Sequence, residues 1–181
     1  NINATAVSNA LTILGNAATN VLMGTSFIDS LNGGNGSDIY LINSASEHSQ
    51  AEINDNGTSG VDEIRFATTS SGTLTLYAGD IGIERVVIGT GTNSTADTSG
   101  TAAANIDANL AAKGLNIVGN AGSNSLKGSA FNDVILGGLG TDSLLGHEGS
   151  DIYIIENPTD HTAAEINDSG NASIDELRFA K

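Results

Sequence analysis

Large apolar residues recur every nine positions along two stretches of the chain, 15–41 and 119–154. In each nine-residue unit the first residue is Gly, the sixth is Asn or Asp, and the eighth is large and apolar. The eighth-position residues are Leu22, Leu31, Tyr40, Leu126, Ile135, Leu144 and Tyr153. This pattern predicts a six-residue turn followed by a three-residue strand whose middle side chain points inward. Because no such unit can bury its apolar face alone, we expect the units to stack, two to a coil, in a flattened solenoid.

The nine-residue units lie inside a larger duplication. Residues 1–34 align with 105–138 at an offset of 104 with 15 identities, and 36–67 align with 149–180 at an offset of 113 with 18 identities. The offset grows by 113 − 104 = 9 residues, so the second copy holds one additional nine-residue unit. We therefore predict two repeat units, 1–104 and 105–181, and the second ends before any counterpart of 68–104. This arrangement suggests a piece of a longer tandem array.

Each repeat unit divides further by its pattern. The first holds a nonapeptide roll (15–41), an acidic rung (52–67), and linking strands with a loop (68–104), and the second holds a nonapeptide roll (119–154) and an acidic rung (165–180). The β-branched, alternating segments TLTLYAG and IERVVIG favour strands, whereas 90–101 is a polar loop. The segments NINATAVSNA and ANIDANLAAKG lead directly into apolar runs, and we interpret both as further strand rungs.

Composition narrows the function classes. The chain has 181 residues, of which 21 are acidic and 6 basic, for a formal net charge of −15. So few basic residues argue against a nucleic-acid partner, and no apolar run approaches the roughly 18 residues of a membrane span. The absence of cysteine excludes disulfides, thiolate zinc sites and a cysteine nucleophile. Since 39% of the residues are apolar, simple acidic disorder is also disfavoured, and the carboxylates remain to be explained.

Two of the turns carry a metal-binding pattern. GGNGSDIYL (33–41) and GGLGTDSLL (137–145) both match G-G-x-G-x-D-x-U-x, where U is large and apolar. Glycine permits positive φ, so such a turn can curl its carbonyl oxygens inward beside the carboxylate of the sixth residue. Ca²⁺ prefers 6–8 oxygen ligands at about 2.3–2.6 Å, and one turn supplies about half of them. The other half must come from a neighbouring turn.

This ladder resembles the repeats-in-toxin (RTX) nonapeptide family of secreted bacterial proteins, and the flanking rungs resemble segments between RTX blocks in large surface adhesins. The resemblance implies an all-β, right-handed parallel β-roll or β-helix solenoid that binds several Ca²⁺ ions between turns two units apart. Carried onto this chain, it pairs the following sixth-position residues: Asp133 with Asp151 in the strongest site, Asn124 with Asp142, and Asn20 with Asp38. It also implies that backbone carbonyls complete the sites in the turns that contain Gly33, Gly34, Gly36, Gly137, Gly138, Gly140 and Gly149.

Several positions depart from the family pattern. Asn20 and Asn124 replace a carboxylate with a neutral amide, which weakens a site. The fourth-position glycine is replaced by Ala18, Phe27 and Phe131, and His147 with Glu148 interrupts GHEGSD. Asp29 is a further candidate ligand but has no nonapeptide partner two turns on, so Glu47 is its expected substitute.

A second carboxylate set recurs in the acidic rungs, and its role stays open. Glu52, Asp55, Asp62 and Glu63 match Glu165, Asp168, Asp175 and Glu176. These residues either form a further calcium rung or belong to a solvated strand–turn–strand, and Arg65 and Arg178 are expected to pair with them. For the other recurring residues we expect a structural or surface role for His48 and His161, and core positions for Tyr40 and Tyr153.

The expected function is structural. We find no HExxH, GxSxG or P-loop motif, and the even spacing of the carboxylates favours lattice repetition over acid–base catalysis, so no enzyme is predicted. The prediction is a calcium-dependent extracellular module of a secreted bacterial surface protein, such as an adhesin stalk, an S-layer-like coat or a filament, exported by type I secretion. Its expected partners are calcium and neighbouring copies of the repeat, without nucleic acid or a membrane span.

Two alternatives remain open from the sequence. In the first alternative, the chain is the calcium-binding secretion tail of an RTX exoenzyme or toxin whose catalytic domain is absent from this sequence. A third interpretation is a binding module whose loop at 90–101 contacts a glycan or another cell-surface ligand.

Overall fold

The computed structural model describes residues 1–157, 162, 165–168, 170 and 174–180, and these form a β-solenoid of about 8 turns. Its strands are β1 (Ile2–Asn3), β2 (Thr12–Leu14), β3 (Val21–Met23), β4 (Ser30–Asn32), β5 (Ile39–Ile42), β6 (Glu63–Phe66), β7 (Gly72–Thr75), β8 (Arg85–Ile88), β9 (Ala104–Asp107), β10 (Asn116–Val118), β11 (Ser125–Lys127), β12 (Val134–Leu136), β13 (Ser143–Leu145), β14 (Ile152–Ile155) and β15 (Glu176–Phe179). One short 3₁₀ helix, Ala45–Glu47, lies between β5 and β6. The predicted all-β, parallel solenoid is confirmed.

The strands stack in parallel into three sheets. The large sheet has nine strands in the order β1-β3-β5-β6-β8-β10-β12-β14-β15, and the opposite side carries β13-β11-β9-β7 and β2-β4. In the nonapeptide rolls each coil takes 18 residues, because Leu22 pairs with Tyr40 and Ile135 with Tyr153. The coil that contains the acidic rung takes 24 residues, as Tyr40 pairs with Ile64. The solenoid therefore joins regular coils to longer, irregular ones.

The core is a column of apolar side chains that point inward from successive strands. Strands β1 and β15, at the two edges of the large sheet, bury no side chain in it. The eighth-position residues of all seven nonapeptides are buried in it: Leu22, Leu31, Tyr40, Leu126, Ile135, Leu144 and Tyr153. The linking segment adds Leu74, Leu76 and Val86 to the same cluster. Because each coil buries only a few side chains, its stability depends on the coils above and below it.

The additional nonapeptide of the second repeat unit changes which face each strand occupies. One nonapeptide is half a coil, so inserting it exchanges the two faces for every strand that precedes it. Leu22 lies in the nine-stranded sheet, whereas its counterpart Leu126 lies in the four-stranded sheet on the other side. After the insertion the two units are in phase again, and Tyr40 and Tyr153 both lie in the nine-stranded sheet. The sequence duplication is therefore only partly a structural duplication.

In the part of the chain that the structure describes, no helix has the length and apolar character needed to cross a membrane.

Candidate calcium sites

The first glycine of each nonapeptide makes room for the side chain of the sixth residue. In every unit, a Cβ added to this glycine would overlap a side-chain oxygen of the sixth-position Asp or Asn; the glycines are Gly15, Gly24, Gly33, Gly119, Gly128, Gly137 and Gly146. The sixth-position oxygen is thus folded back over the start of its own turn. This local requirement explains why the first position does not vary.

In three of the seven nonapeptide turns, those that begin at Gly33, Gly137 and Gly146, the second and fourth positions adopt left-handed backbone conformations. Gly34 and Gly36 have φ values of 93° and 118°, and Gly138 and Gly140 have 93° and 101°. His147 occupies the second position of its turn and takes φ 72°, at the backbone cost that a non-glycine residue carries there. The interruption expected at GHEGSD therefore leaves the turn conformation intact.

The structure places the three predicted residue pairs in adjacent coils. The backbone N–H of Asp133 donates to Oδ1 of Asp151 at 2.8 Å, that of Asn124 to Oδ1 of Asp142 at 2.9 Å, and that of Asn20 to Oδ1 of Asp38 at 2.6 Å. Each sixth-position carboxylate thus holds the coil that precedes it by 18 residues. The assignment of these residues and their turn carbonyls as ligands stays a prediction, and the stacking supplies the proximity that it needs.

Asp29 is hydrogen-bonded within its own turn and to the preceding coil, as Asp133 is through Leu115, and its pairing with Glu47 as a ligand stays a prediction. Its Oδ1 accepts a hydrogen bond from the backbone N–H of Leu11 at 2.7 Å, and its Oδ2 accepts one from Thr25 N–H at 2.5 Å. Oε2 of Glu47, the expected substitute partner, accepts from the N–H of Asn43 at 2.8 Å. Asp29 therefore continues the stack toward the preceding coil, which carries no nonapeptide motif.

The carboxylates of the stack retain buried oxygens that nothing in the described protein satisfies. Asp38 and Asp151 are both 0% exposed, and Oδ2 of each has no hydrogen-bond partner among the described residues. An unpartnered buried carboxylate oxygen is costly unless a cation neutralises it. Carboxylate and carbonyl oxygens are also the ligands that Ca²⁺ prefers, so the residues present fit this ion.

Electrostatics support the same interpretation. Burial raises the pKa of Asp151 to about 6, with a further contribution from the negative charges of Asp133, Asp168 and Asp175, against the lowering effect of the Asp133 N–H bond. Burial likewise raises the pKa of Asp133. A group whose protonated form is favoured in this way is one that a bound cation would stabilise as the carboxylate.

The ladder of carboxylates continues beyond the nonapeptides into the acidic rungs. The N–H of Asp38 donates to Oδ1 of Asp62 at 2.8 Å, and the N–H of Asp151 donates to Oδ1 of Asp175 at 3.0 Å. From the sequence, the acidic rungs could be either a further calcium rung or a solvated segment. Their carboxylates were therefore not included among the predicted calcium ligands. The available signal was the recurrence of EIND and DE in both units at the offset of 113 residues.

The other recurring residues have structural contacts. His48 is buried, with Nε2 3.0 Å from Oδ2 of Asp80, while His161 lies outside the described residues. Arg65 is completely buried and donates to Oε1 of Glu63 at 2.6 Å. Its counterpart Arg178 makes the same bond to Glu176 at 2.7 Å, but is exposed.

Comparison with known proteins identifies the repeats. The family model of the RTX calcium-binding nonapeptide repeat matches residues 14–41 and 118–153, with four copies. The chain therefore contains RTX repeats, and the resemblance inferred from the sequence is confirmed. Such a solenoid is a structural calcium-binding module. No curated protein matches the chain significantly, and no solved structure does.

Proposed function

We propose that the chain is a calcium-dependent structural module of a secreted bacterial surface protein, loose without calcium and rigid with it. The observation that carries the proposal is the stack of buried sixth-position carboxylates, in which Oδ2 of Asp38 and of Asp151 has no partner within the described residues. Ca²⁺ between the turns would use these oxygens together with turn carbonyls. The RTX match over both nonapeptide rolls supports the choice of ion.

Calcium acts in this proposal by linkage between binding and folding. Without a cation the stacked carboxylates repel one another, and the turns that carry them are destabilised. Binding to the folded state alone makes the binding free energy a folding free energy. Extracellular calcium modules bind with dissociation constants of about 10⁻⁴–10⁻³ M, which cytosolic calcium does not saturate. The chain would therefore be exported unfolded, as type I secretion requires, and fold outside the cell.

The internal duplication and the parallel stacking of the coils support a role in an extended array. Strand β15 pairs with β14, and its other edge has no partner strand within the described residues. An unpaired parallel edge needs a cap or a neighbouring module. Neighbouring copies of the repeat are therefore the proposed partners, in an adhesin stalk, a surface coat or a filament at the cell surface.

Circular dichroism during a calcium titration tests the proposal. The β signal and the thermal midpoint should rise with calcium and fall again when EGTA is added. Asp151→Asn should shift the titration to higher calcium, because it removes a buried charge from the stack. Asp97→Asn is the matched control, since Asp97 lies in the loop at 90–101 and bonds to Ser99. A β signal and midpoint that ignore calcium would contradict the proposal.

A further inference from the structure

The turn of the first acidic rung stacks directly on the last turn of the nonapeptide roll. A Cβ at Gly57 would overlap the carbonyl oxygen of Gly34, and a Cβ at Gly60 would overlap that of Gly36. The N–H of Gly36 also donates to the carbonyl of Ser59 at 3.0 Å. Residues 55–62 thus form an eight-residue turn laid over the six-residue turn 33–38. The family match ends at residue 41, so it does not include this longer turn.

This stacking brings three carboxylates together at the junction. Asp38 ends the nonapeptide turn, and Asp55 and Asp62 begin and end the turn above it. One oxygen from each lies within 4.8 Å of the others, and all three residues are buried. Three carboxylates this close, without an arginine or lysine among them, repel one another unless a cation lies between them.

The three carboxylates are held in place, and one oxygen is left over. Oδ1 of Asp38 accepts from Asn20, while its buried Oδ2 has no partner in the described protein. The hydroxyl of Tyr40 donates to Oδ2 of Asp55 at 2.5 Å and accepts from the N–H of Gly33 at 2.7 Å. Tyr40 therefore ties the carboxylate of the upper turn to the backbone of the lower turn. Such fixed geometry is typical of a built ligand set.

The same cluster recurs in the second repeat unit. Asp151, Asp168 and Asp175 also have one oxygen each within 4.8 Å of the others. They match the first three residues at the offset of 113, and Tyr153 accepts from the N–H of Gly146 at 2.7 Å, as Tyr40 does from Gly33. Oδ2 of Asp151 is likewise buried without a partner among the described residues. The same arrangement occurs twice although the flanking turns differ in sequence. This recurrence indicates that the two clusters have the same role.

We propose that Asp38, Asp55 and Asp62 form a calcium site that joins the nonapeptide roll to the acidic rung, and that Asp151, Asp168 and Asp175 form its counterpart. The inference rests on the proposed calcium dependence and extends binding to a turn outside the nonapeptide motif. All the ligands are oxygens, and the eight-residue turn is irregular, a combination that Ca²⁺ tolerates better than Mg²⁺. Calcium bound at each site would couple the folding of the coil that contains the acidic rung to the folding of the nonapeptide roll below it.

Native mass spectrometry of the intact chain in calcium tests this assignment by counting bound ions. Asp62→Asn should lose one ion relative to wild type, and Asp62→Asn with Asp175→Asn should lose two. The amide keeps an oxygen at Oδ1 for the N–H bond from the coil below and removes only the charge. Asp97→Asn is the matched control and should keep the full count.

A second variant distinguishes the loss of this calcium site from a general loss of folding. Tyr40→Phe keeps all three carboxylates and removes the hydroxyl that orients Asp55, so it should weaken one calcium step about tenfold, which a calorimetric titration measures. The same step should be absent in Asp62→Asn.

The outcomes separate the two proposals. Calcium uptake by wild type with an unchanged count in Asp62→Asn and an unchanged titration in Tyr40→Phe would overturn the junction site and leave the calcium-dependent module standing. A wild-type chain that takes up no calcium would overturn both.

Discussion

The acidic rungs of the two repeat units have nearly the same sequence and very different surroundings. Strand β6 in the first unit reads EIRF and lies between β5 and β8, whereas β15 in the second unit reads ELRF and pairs with β14. Phe66 is 0% exposed, and its counterpart Phe179 is 58% exposed. Burial of these side chains is therefore decided by the next coil and not by the local sequence.

The covering coil comes from the linking segment 68–104, of which residues 105–181 contain no second copy. Strand β8 pairs with β6 along its whole length, from Glu63 with Arg85 to Phe66 with Ile88. Arg65 also donates to the carbonyls of Gly91 and Asn93, which holds the loop at 90–101 over the sheet. The linking segment thus covers β6 with a paired strand and a loop. A further module stacked on β15 would supply the same kind of contacts.

Calcium removal should produce the largest effect and should separate the two units. As calcium is lowered with EGTA, we expect β14 and β15 to lose amide protection at calcium concentrations where β5 and β6 still retain it. The reason is that β6 is paired on both edges, whereas β15, among the described residues, is paired only with β14 and relies on the stack that contains Asp151. Hydrogen exchange followed by mass spectrometry measures this for each peptide.

Magnesium at the same concentration is the control for ionic strength and should not restore protection. Simultaneous loss of protection in both units would show that the solenoid unfolds as one cooperative unit. The two acidic rungs would then not differ in stability.

Truncation of the equivalent phenylalanines should give the next largest difference. Phe66→Ala removes a fully buried ring and should cost about 3–5 kcal/mol of unfolding free energy, whereas Phe179→Ala should change it by about 0.5 kcal/mol or less. Denaturant unfolding in saturating calcium measures both. Equal losses for the two variants would mean that Phe179 is covered in solution, for example by a second copy of the chain, and the oligomeric state would identify that case.

The regular part of this molecule was predictable, and the reason is its period. A nine-residue repeat with one apolar position fixes which side chains enter the core, and it places each sixth-position residue 18 residues from the one it stacks on. The pairing of Asp133 with Asp151 in adjacent coils follows from that spacing. Asp38 and Asp62 are 24 residues apart and fit no period, so their contact becomes visible only when the longer coil is built.

Contacts outside the nine-residue period could not be located from the sequence for a similar reason. The period predicts where Asp29 lies in its own turn, but not which residue lies beside it in the coil before the first nonapeptide. The structure shows that the coil before the first nonapeptide also stacks, so Leu11 provides the contact. His48 recurs in the sequence beside acidic residues, but its bond to Asp80 depends on the linking segment that packs against it.

The smallest predicted effect concerns pH, and it should be confined to the first unit. Burial lowers the pKa of His48, but the hydrogen bonds and negative charges of Asp80 and Glu52 outweigh it and raise this pKa from 6.5 to about 9. A histidine with a raised folded-state pKa stabilises the protein fully below pH 6.5, and this contribution disappears as the pH rises through 9. Asp80 lies in the segment 68–104, which has no counterpart in 105–181.

In saturating calcium, the thermal midpoint should therefore fall between pH 6.5 and 9 by about 2–4 °C, the shift that a loss on the order of 1 kcal/mol produces in a chain of this size. Calorimetry at constant calcium and ionic strength measures it. His48→Gln should lower the midpoint at pH 6 and flatten its dependence on pH. A wild-type midpoint that rises across this range would show that His48 is neutral in the folded state. The backbone N–H groups of Glu52, Ile53 and Tyr77 would then still hold Asp80.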